Sequence, residues 1–327
     1  MTHPLKRRDF LLAGGAAALL TGLALRPSAP ALARGAAATE VLTGPAFGTT
    51  WTVRLPTGKA APVPRIETLL AGIDAQMSPW RTDSRITALN RAKAGRHPLS
   101  PELALVTGAA LHLAEMTGGA FDPTVGPAVA RWGFGPIAKG AQGWHGLSVD
   151  GESLHKAEAP LTLDLCGIAK GRALDLMATA LLEAGQTDFL TELGGELIAR
   201  GAHPSGRAWR VGVEDPRPGT EGLAGSIKLD RAVATSGIKA NGYSLGDRRY
   251  CHIIDPATQT PVPGTPASVS VLASDAMTAD GWATALMAAG PDGPALARAQ
   301  GIDALFLFDD APGLRAVTTG AVDYRPA

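Results

Sequence analysis

The chain has 327 residues, 45% of them hydrophobic, which is enough apolar material for one large domain or two small ones. Thirty basic side chains balance thirty acidic ones, and no basic run interrupts that balance. Nucleic acid is therefore excluded as an expected partner.

Read from the N-terminus, the first element is a targeting segment. Arg7-Arg8-Asp9-Phe10-Leu11-Leu12 resembles a twin-arginine export signal, an Ala/Gly/Leu run follows, and Ala31-Leu32-Ala33 offers a small-x-small cleavage site. The apolar run is short and broken by glycine, which argues against a membrane span. We expect a signal peptide over residues 1–33 and a periplasmic mature chain over residues 34–327, with an uncleaved anchor as the alternative. No cysteine lies near the cleavage site, so lipid anchoring is not expected. Losing Lys6, Arg7, Arg8 and Arg26 against Asp9 alone leaves 26 basic and 29 acidic residues, a net charge near −3. An oxidising periplasm would permit a disulfide between Cys166 and Cys251. Two small buried thiols are the other reading.

Phe47 to Leu55 alternates as a strand. Ile66, Leu69, Leu70, Ile73 and Met77 recur at helical spacing, and Ser78-Pro79 ends that helix. A polar loop follows, in which Trp80 precedes Arg81, Asp83, Ser84 and Arg85. Ser100-Pro101 reads as an N-cap with a first-turn proline, opening a helix to about Thr117 that stops at Gly118-Gly119. The next stretch, GAFDPTVGPAVARWGFG from Gly119 to Gly135, holds four glycines and two prolines, a composition for turns and not for plain packing. Asp122 adds a charged acceptor beside Phe121, and Thr124 a hydroxyl, as a loop gripping a flat polar ligand would need. Leu161–Leu165 reads as a short strand, and Ile168 to about Ala184 as a helix closed by Gly185. Strands are expected at Phe189–Leu193, Trp209–Val213, Ser226–Leu229, Ala232–Thr235, Tyr250–Ile254 and Ser268–Leu272. Helices over Met277–Ala289 and Pro294–Gln300, then strands over Ala304–Phe308 and Ala316–Thr319, complete the chain. Strands in runs between scattered helices predict an α+β fold with a largely antiparallel sheet.

Several stretches carry candidate chemistry. In LDLCGIAKG, Leu163 to Gly171, a strand ends, a glycine turn follows and a helix opens with Lys170 in its first turns. Free N–H groups and the positive helix end favour phosphate there, although a solvated lysine at a helix start reads the same way. Gly171 follows the lysine where a Walker A loop has Ser or Thr. In MTADGWATALMAAG, Asp280 and Thr284 stand four apart and share a helix face. A carboxylate and a hydroxyl are hard oxygen ligands suited to Mg²⁺ bound together with a substrate phosphate. Such a pair is more often a solvated face, but alanine-rich surroundings point to burial, where an unpaired carboxylate is costly. In RYCHIIDP, His252 lies in an apolar strand with Asp255 just beyond. A core imidazole and a proton acceptor for an attacking hydroxyl both fit. Trp80 can stack on a flat ring or wall a half-buried pocket. Gly194-Gly195 in ELGGEL allows close approach of a ligand to the backbone.

Taken in order, FGTTWTV, MSPWRTDSRITALN, GAFDPTVGPAVARWGFG, LDLCGIAKG, ELGGEL, WRVGVEDP, RYCHIIDP and MTADGWATALMAAG resemble the ApbE family of FAD:protein FMN transferases, from about Phe47 to Ala289. Any one motif could arise by chance; their ordered sum is specific. The resemblance implies a T-fold-related single α+β domain with mostly antiparallel sheets and flanking helices. It implies FAD contacts at Phe47, Trp80, Ala120, Phe121, Asp122, Asp164, Lys170, His252 and Ile254. It implies Mg²⁺ held by the Gly167 carbonyl, Asp280 and Thr284. Asp280 and His252 would be catalytic, the first through the metal and the second as the base. Phe47 takes a place often held by methionine, and Trp80 one held by Tyr or Trp. Cys166 stands where glycine is common, and Glu192, where the family often has Asn, receives no role.

The implied reaction moves FMN from FAD to a Ser or Thr hydroxyl of an acceptor flavoprotein through a phosphoester, releasing AMP. The acceptor is expected to be a periplasmic or membrane flavoprotein. A Mg²⁺-dependent FAD pyrophosphatase and a non-enzymatic flavin carrier are the alternatives.

Overall fold

Burial in the strand Thr49–Pro56 alternates, with Trp51, Val53 and Leu55 inward and Arg54 outward. It pairs with Thr39–Ala46 on one side and Phe189–Leu193 on the other. In the computed structural model, which describes residues 39–310 and 313–327, these strands begin an eight-stranded sheet. Glu196–Arg200, Ala232–Gly237, Ser268–Ala273, Asp303–Asp310 and Gly313–Thr319 complete it. Every neighbouring pair is antiparallel and the strands lie side by side in chain order. The export segment expected over residues 1–33 lies outside the described residues.

Both faces of this sheet are covered. Ala234, Val269, Val271, Ala304 and Phe306 share one core with the helices α1 (Val63–Met77), α2 (Arg85–Arg91), α3 (Pro101–Met116), α5 (Ala169–Glu183), α6 (Ala276–Ala288) and α7 (Gly293–Ala299), to which the short α4 (Gly126–Arg131) adds no residue. Val233, Leu272, Leu305 and Leu307 pack instead on Trp209, Val211, Val213, Ile227 and Leu229 of a three-stranded sheet, Trp209–Glu214, Leu223–Leu229 and Tyr324–Pro326. That double cover is why Ser268–Ala273 is buried almost throughout. The α+β, largely antiparallel expectation holds. So do the cap at Ser100, whose hydroxyl accepts from the Leu103 N–H at 3.2 Å, and the helices placed by periodicity.

Two expected strands differ. Leu161–Leu165 is extended but joins no named strand. Its peptide groups are satisfied by other partners: the Asn90 amide brackets Leu163 at 2.7 and 2.9 Å, and the Asp164 N–H donates to the Pro123 carbonyl at 2.7 Å. Tyr250–Ile254 breaks at His252, with Arg248–Cys251 in one hairpin and Ile254–Asp255 paired to Thr260–Pro261. The two cysteines are free thiols, Cys166 exposed and Cys251 buried.

Helix α6 is buried on nearly all sides and lies against α5. Gly171 permits the close approach: a Cβ there would meet the Ala276 carbonyl oxygen at 2.1 Å and the Asp280 Cβ at 2.8 Å. Gly171→Ala must push the two helices apart. It is expected to cost about 2–3 kcal/mol of stability, read from the urea midpoint.

Candidate active site

The start of α5 and the middle of α6 meet at a cluster of charges. The Gly171 N–H donates to Asp280 Oδ2 at 2.9 Å, and Asp280 is buried. One turn further along α6, the Thr284 hydroxyl donates to the Gly167 carbonyl at 3.3 Å. A carboxylate, a hydroxyl and a main-chain carbonyl from distant parts of the sequence are thus brought together. Lys170 turns its ammonium onto the buried Glu196 Oε1 at the start of the strand Glu196–Arg200, while Glu196 Oε2 has no hydrogen-bond partner among the described residues.

These groups shape one another's protonation. Burial raises the Asp280 carboxyl, against the pull of Lys170 and the Gly171 N–H. Burial likewise raises the Glu196 carboxyl. For Lys170, burial alone would lower the ammonium, but Asp280 and Glu196 outweigh it and keep it charged.

The loop after α3 forms an adjoining wall. The Phe121 N–H donates to Thr117 Oγ1 at 3.0 Å, and a Cβ at Gly167 would meet the Phe121 ring at 3.3 Å, so the loop lies against the glycine turn. Asp122 is buried and internally satisfied: the Thr124 N–H donates to Oδ1 at 2.7 Å and the Gln142 amide to Oδ2 at 2.8 Å. The same Gln142 amide reaches the Pro256 carbonyl at 3.0 Å, tying the loop to the turn after His252. Asp164 is half-buried with Oδ1 accepting from the Cys166 N–H at 3.0 Å, and Ala120 is half-buried beside Phe121. Ile254 is buried in its short strand.

His252 is half-buried where the two short strands separate. Its Nδ1 lies 3.2 Å from the Asn241 carbonyl, which can only accept, so Nδ1 carries the proton and Nε2 keeps its lone pair. Burial lowers the imidazole pKa; the Asn241 carbonyl opposes this, and the charge of nearby Lys170 adds to it.

Phe47 and Trp80 stand apart, with no hydrogen bond or ring contact to the cluster among the described residues. Phe47 occupies the turn between the first two strands at φ +50°, a conformation side chains rarely adopt and one that recurs at ligand sites. A Cβ at Gly194 would meet Thr49 at 2.9 Å, which sets this turn beside the Gly194-Gly195 turn that leads into Glu196. Trp80 is 65% exposed, unusual for an indole, in a loop held by Arg81 to Asp74 and Asp83 at 3.0 and 2.9 Å.

Glu196, Gln142, Thr117 and Asn90 escaped the sequence reading. Glu196, Gln142 and Asn90 act through partners far away in sequence and Thr117 through Phe121 four residues on, and only Glu196 and Asn90 lay in quoted motifs, ELGGEL and MSPWRTDSRITALN. Asp175 is another. Its carboxylate accepts from the N–H groups of Ala276 and Met277 at 2.7 and 3.0 Å, fastening the start of α6, and burial lifts it from 3.8 to about 6. The folded state therefore holds this proton more tightly than the unfolded one. The resulting stability is complete at low pH and lost as pH rises through about 6. The chain is expected to be more resistant to urea at pH 5 than at pH 7.5, with Asp175→Asn removing about 1 kcal/mol of that difference.

The donor set suits Mg²⁺. No group of three His, Cys, Asp or Glu side chains that could hold a metal occurs among the described residues. Asp280, Thr284 and the Gly167 carbonyl instead form a partial set of hard oxygens. Mg²⁺ bound through one carboxylate commonly completes its shell with water and substrate phosphate. Asp280 Oδ1 makes no hydrogen bond to a described residue, so a ligand position is open on a carboxylate whose charged form burial disfavours.

Known proteins resemble the chain in sequence and in fold. The model of the ApbE family matches residues 47–306. An FAD:protein FMN transferase from Vibrio cholerae is 34% identical over 84% of this chain and 89% of its own length. One from Klebsiella pneumoniae is 31% identical over 92% of each. Among solved structures, the flavin transferase ApbE from Vibrio cholerae superposes with TM-score 0.76 at 32% identity, covering 86% of this chain and 97% of that one. The apo form of the Pseudomonas stutzeri flavinyl transferase ApbE gives TM-score 0.77 at 34% identity, covering 86% and 95%.

Proposed function

The chain belongs to the ApbE family, and from that premise we propose that it transfers FMN from FAD to a Ser or Thr hydroxyl of an acceptor protein. The observation that carries the site assignment is the convergence of Asp280, Thr284, the Gly167 carbonyl and Lys170 at the α5–α6 contact.

Asp280, Thr284 Oγ1 and the Gly167 carbonyl would hold Mg²⁺. When bound, the ion supplies Lewis acidity toward the pyrophosphate and offsets its charge. Lys170 sits one residue inside α5, so its ammonium and the helix end both favour phosphate. Glu196 holds that ammonium from behind. His252 Nε2 takes the proton of the acceptor hydroxyl. The hydroxyl oxygen then bonds to the FMN phosphorus, the P–O bond to the bridging oxygen breaks, and AMP leaves with that electron pair. FMN remains on the acceptor as a phosphoester. Positioning and charge stabilisation supply most of the catalysis.

Phe47 and Trp80 would bracket the isoalloxazine. Trp80 is exposed, so Trp80→Ala should leave thermal stability unchanged yet weaken FAD binding about tenfold, measured by flavin fluorescence quenching. The twin-arginine segment supports periplasmic action on a periplasmic or membrane flavoprotein. Incubation of the mature chain with FAD, Mg²⁺ and periplasmic extract tests the whole reading. A flavin-fluorescent acceptor band is expected in the gel. AMP release without any labelled band would replace transfer by hydrolysis, and tight FAD binding without AMP would leave only a carrier.

A further inference from the structure

Between the main sheet and His252 the chain projects a hairpin, Gly242–Leu245 and Arg248–Cys251, whose strands pair only with each other. Two strands alone are marginally stable in water. This pair is braced by a row of rings. Phe134 stacks on Tyr243 at 5.3 Å, Tyr243 on Tyr250 at 5.5 Å, and Tyr250 on Trp132 at 5.4 Å. The row ends at the proposed base, where Phe134 meets the His252 imidazole edge-on at 6.5 Å.

The register sets Tyr243 opposite Tyr250 and Leu245 opposite Arg248, so all four share one face of the ribbon. Bracing explains the rings but not what lies beyond them. Leu245 is 70% exposed and Tyr243 39%, an apolar pair left in water toward the tip. Arg248 lies over the Tyr250 ring at 5.2 Å and has no carboxylate partner among the described residues. Its neighbour Arg249 differs, donating to the Ile238 and Lys239 carbonyls at 3.4 and 3.0 Å, which clasps the hairpin to its base. Arg248 is thus an uncompensated cation on an apolar, ring-lined surface that runs down to His252.

We propose that this face of the hairpin, with Trp132 and Phe134, docks the acceptor polypeptide, Arg248 receiving an acidic side chain close in sequence to the modified hydroxyl. The proposal rests on the transfer reading above. A hydroxyl on a folded protein reaches a half-buried imidazole only if its own strand has a surface to lie along. The open edges of a two-stranded ribbon offer main-chain hydrogen bonds to such an extended segment. The rings offer apolar contact, and the lone guanidinium selects for negative charge.

The probe is membranes from the source organism lacking this gene, whose acceptors are unmodified, incubated with FAD, Mg²⁺ and enzyme. Arg248→Glu is expected to slow acceptor labelling about tenfold or more, and Arg248→Lys to stay within about twofold of wild type. FAD affinity and melting temperature should be unchanged in both variants. Labelling by Arg248→Glu at the wild-type rate overturns the proposal, as does equal loss in both variants. A parallel fall in FAD affinity overturns it too, and gives the surface to the nucleotide. If wild-type enzyme labels nothing while releasing AMP, the transfer reading itself falls and docking with it; loss confined to the variants leaves that reading standing.

Discussion

Asp280→Asn is expected to lower FMN transfer about a thousandfold while the protein still folds. Asparagine keeps the shape and one carbonyl oxygen, so the Gly171 N–H, now 2.9 Å from Oδ2, retains an acceptor. What is lost is the charge. A neutral amide is a poor Mg²⁺ ligand, and the remaining donors, Thr284 and the Gly167 carbonyl, are neutral as well. Asp280→Ala is a less clean test, because it strands the buried Gly171 N–H at a cost of about 1–3 kcal/mol. Burial disfavours the Asp280 anion, so the unliganded chain carries a site that a divalent cation relieves. Asp280→Asn should therefore be no less stable than wild type without metal, and should lose the Mg²⁺-induced rise in melting temperature. A variant that keeps more than a tenth of wild-type transfer would remove the metal from Asp280.

Much of this site could be read from the chain because its parts lie on regular elements. Asp280 and Thr284 stand one turn apart on a helix whose alanines announce burial, and α6 is buried as expected. Lys170 follows a glycine turn into a helix, and the structure sets it near the start of α5. What resisted reading was what tertiary structure alone supplies. Leu161–Leu165 has strand-like composition, yet Asn90, far away in sequence, takes the hydrogen bonds a neighbouring strand would have offered. Glu196 reads as a strand residue after a glycine pair, and only the approach of Lys170 gives it a purpose. Tyr250–Ile254 was expected as one continuous strand through His252, and the pairing of Arg248–Cys251 with Gly242–Leu245 was not foreseen. The break at His252 lets its ring bond back to Asn241 instead of continuing the ladder. Asp122 changed meaning in the other direction. Its oxygens are occupied by Thr124 and Gln142, so it shapes the loop that would face the flavin instead of offering a free charge.

His252→Ala is expected to lower kcat for transfer by roughly a hundred- to ten-thousandfold, the usual worth of a positioned general base, with FAD and Mg²⁺ binding retained. Two features of the imidazole support that size of effect. The Asn241 carbonyl fixes the proton on Nδ1, which leaves Nε2 as the only lone pair available to a hydroxyl. Burial and the field of Lys170 lower its pKa, so the neutral, accepting form dominates at neutral pH. The acid limb of kcat/KM should accordingly fall below the ordinary histidine value of about 6.5, and should vanish in His252→Ala. The competing role, a contact to the flavin phosphates, makes an opposite prediction. With Nδ1–H committed to Asn241, the ring can donate to phosphate only through a protonated Nε2, and loss of that contact would raise KM for FAD in the variant and spare kcat. A phosphate contact would also gain from protonation, so its pH dependence would have the reverse sign, with binding tightening as pH falls. Measuring kcat and KM separately across pH 5–8 in both proteins therefore assigns the histidine to one role or the other. Loss of kcat with the acid limb gone makes it the base, and a KM effect that grows at low pH makes it a phosphate ligand.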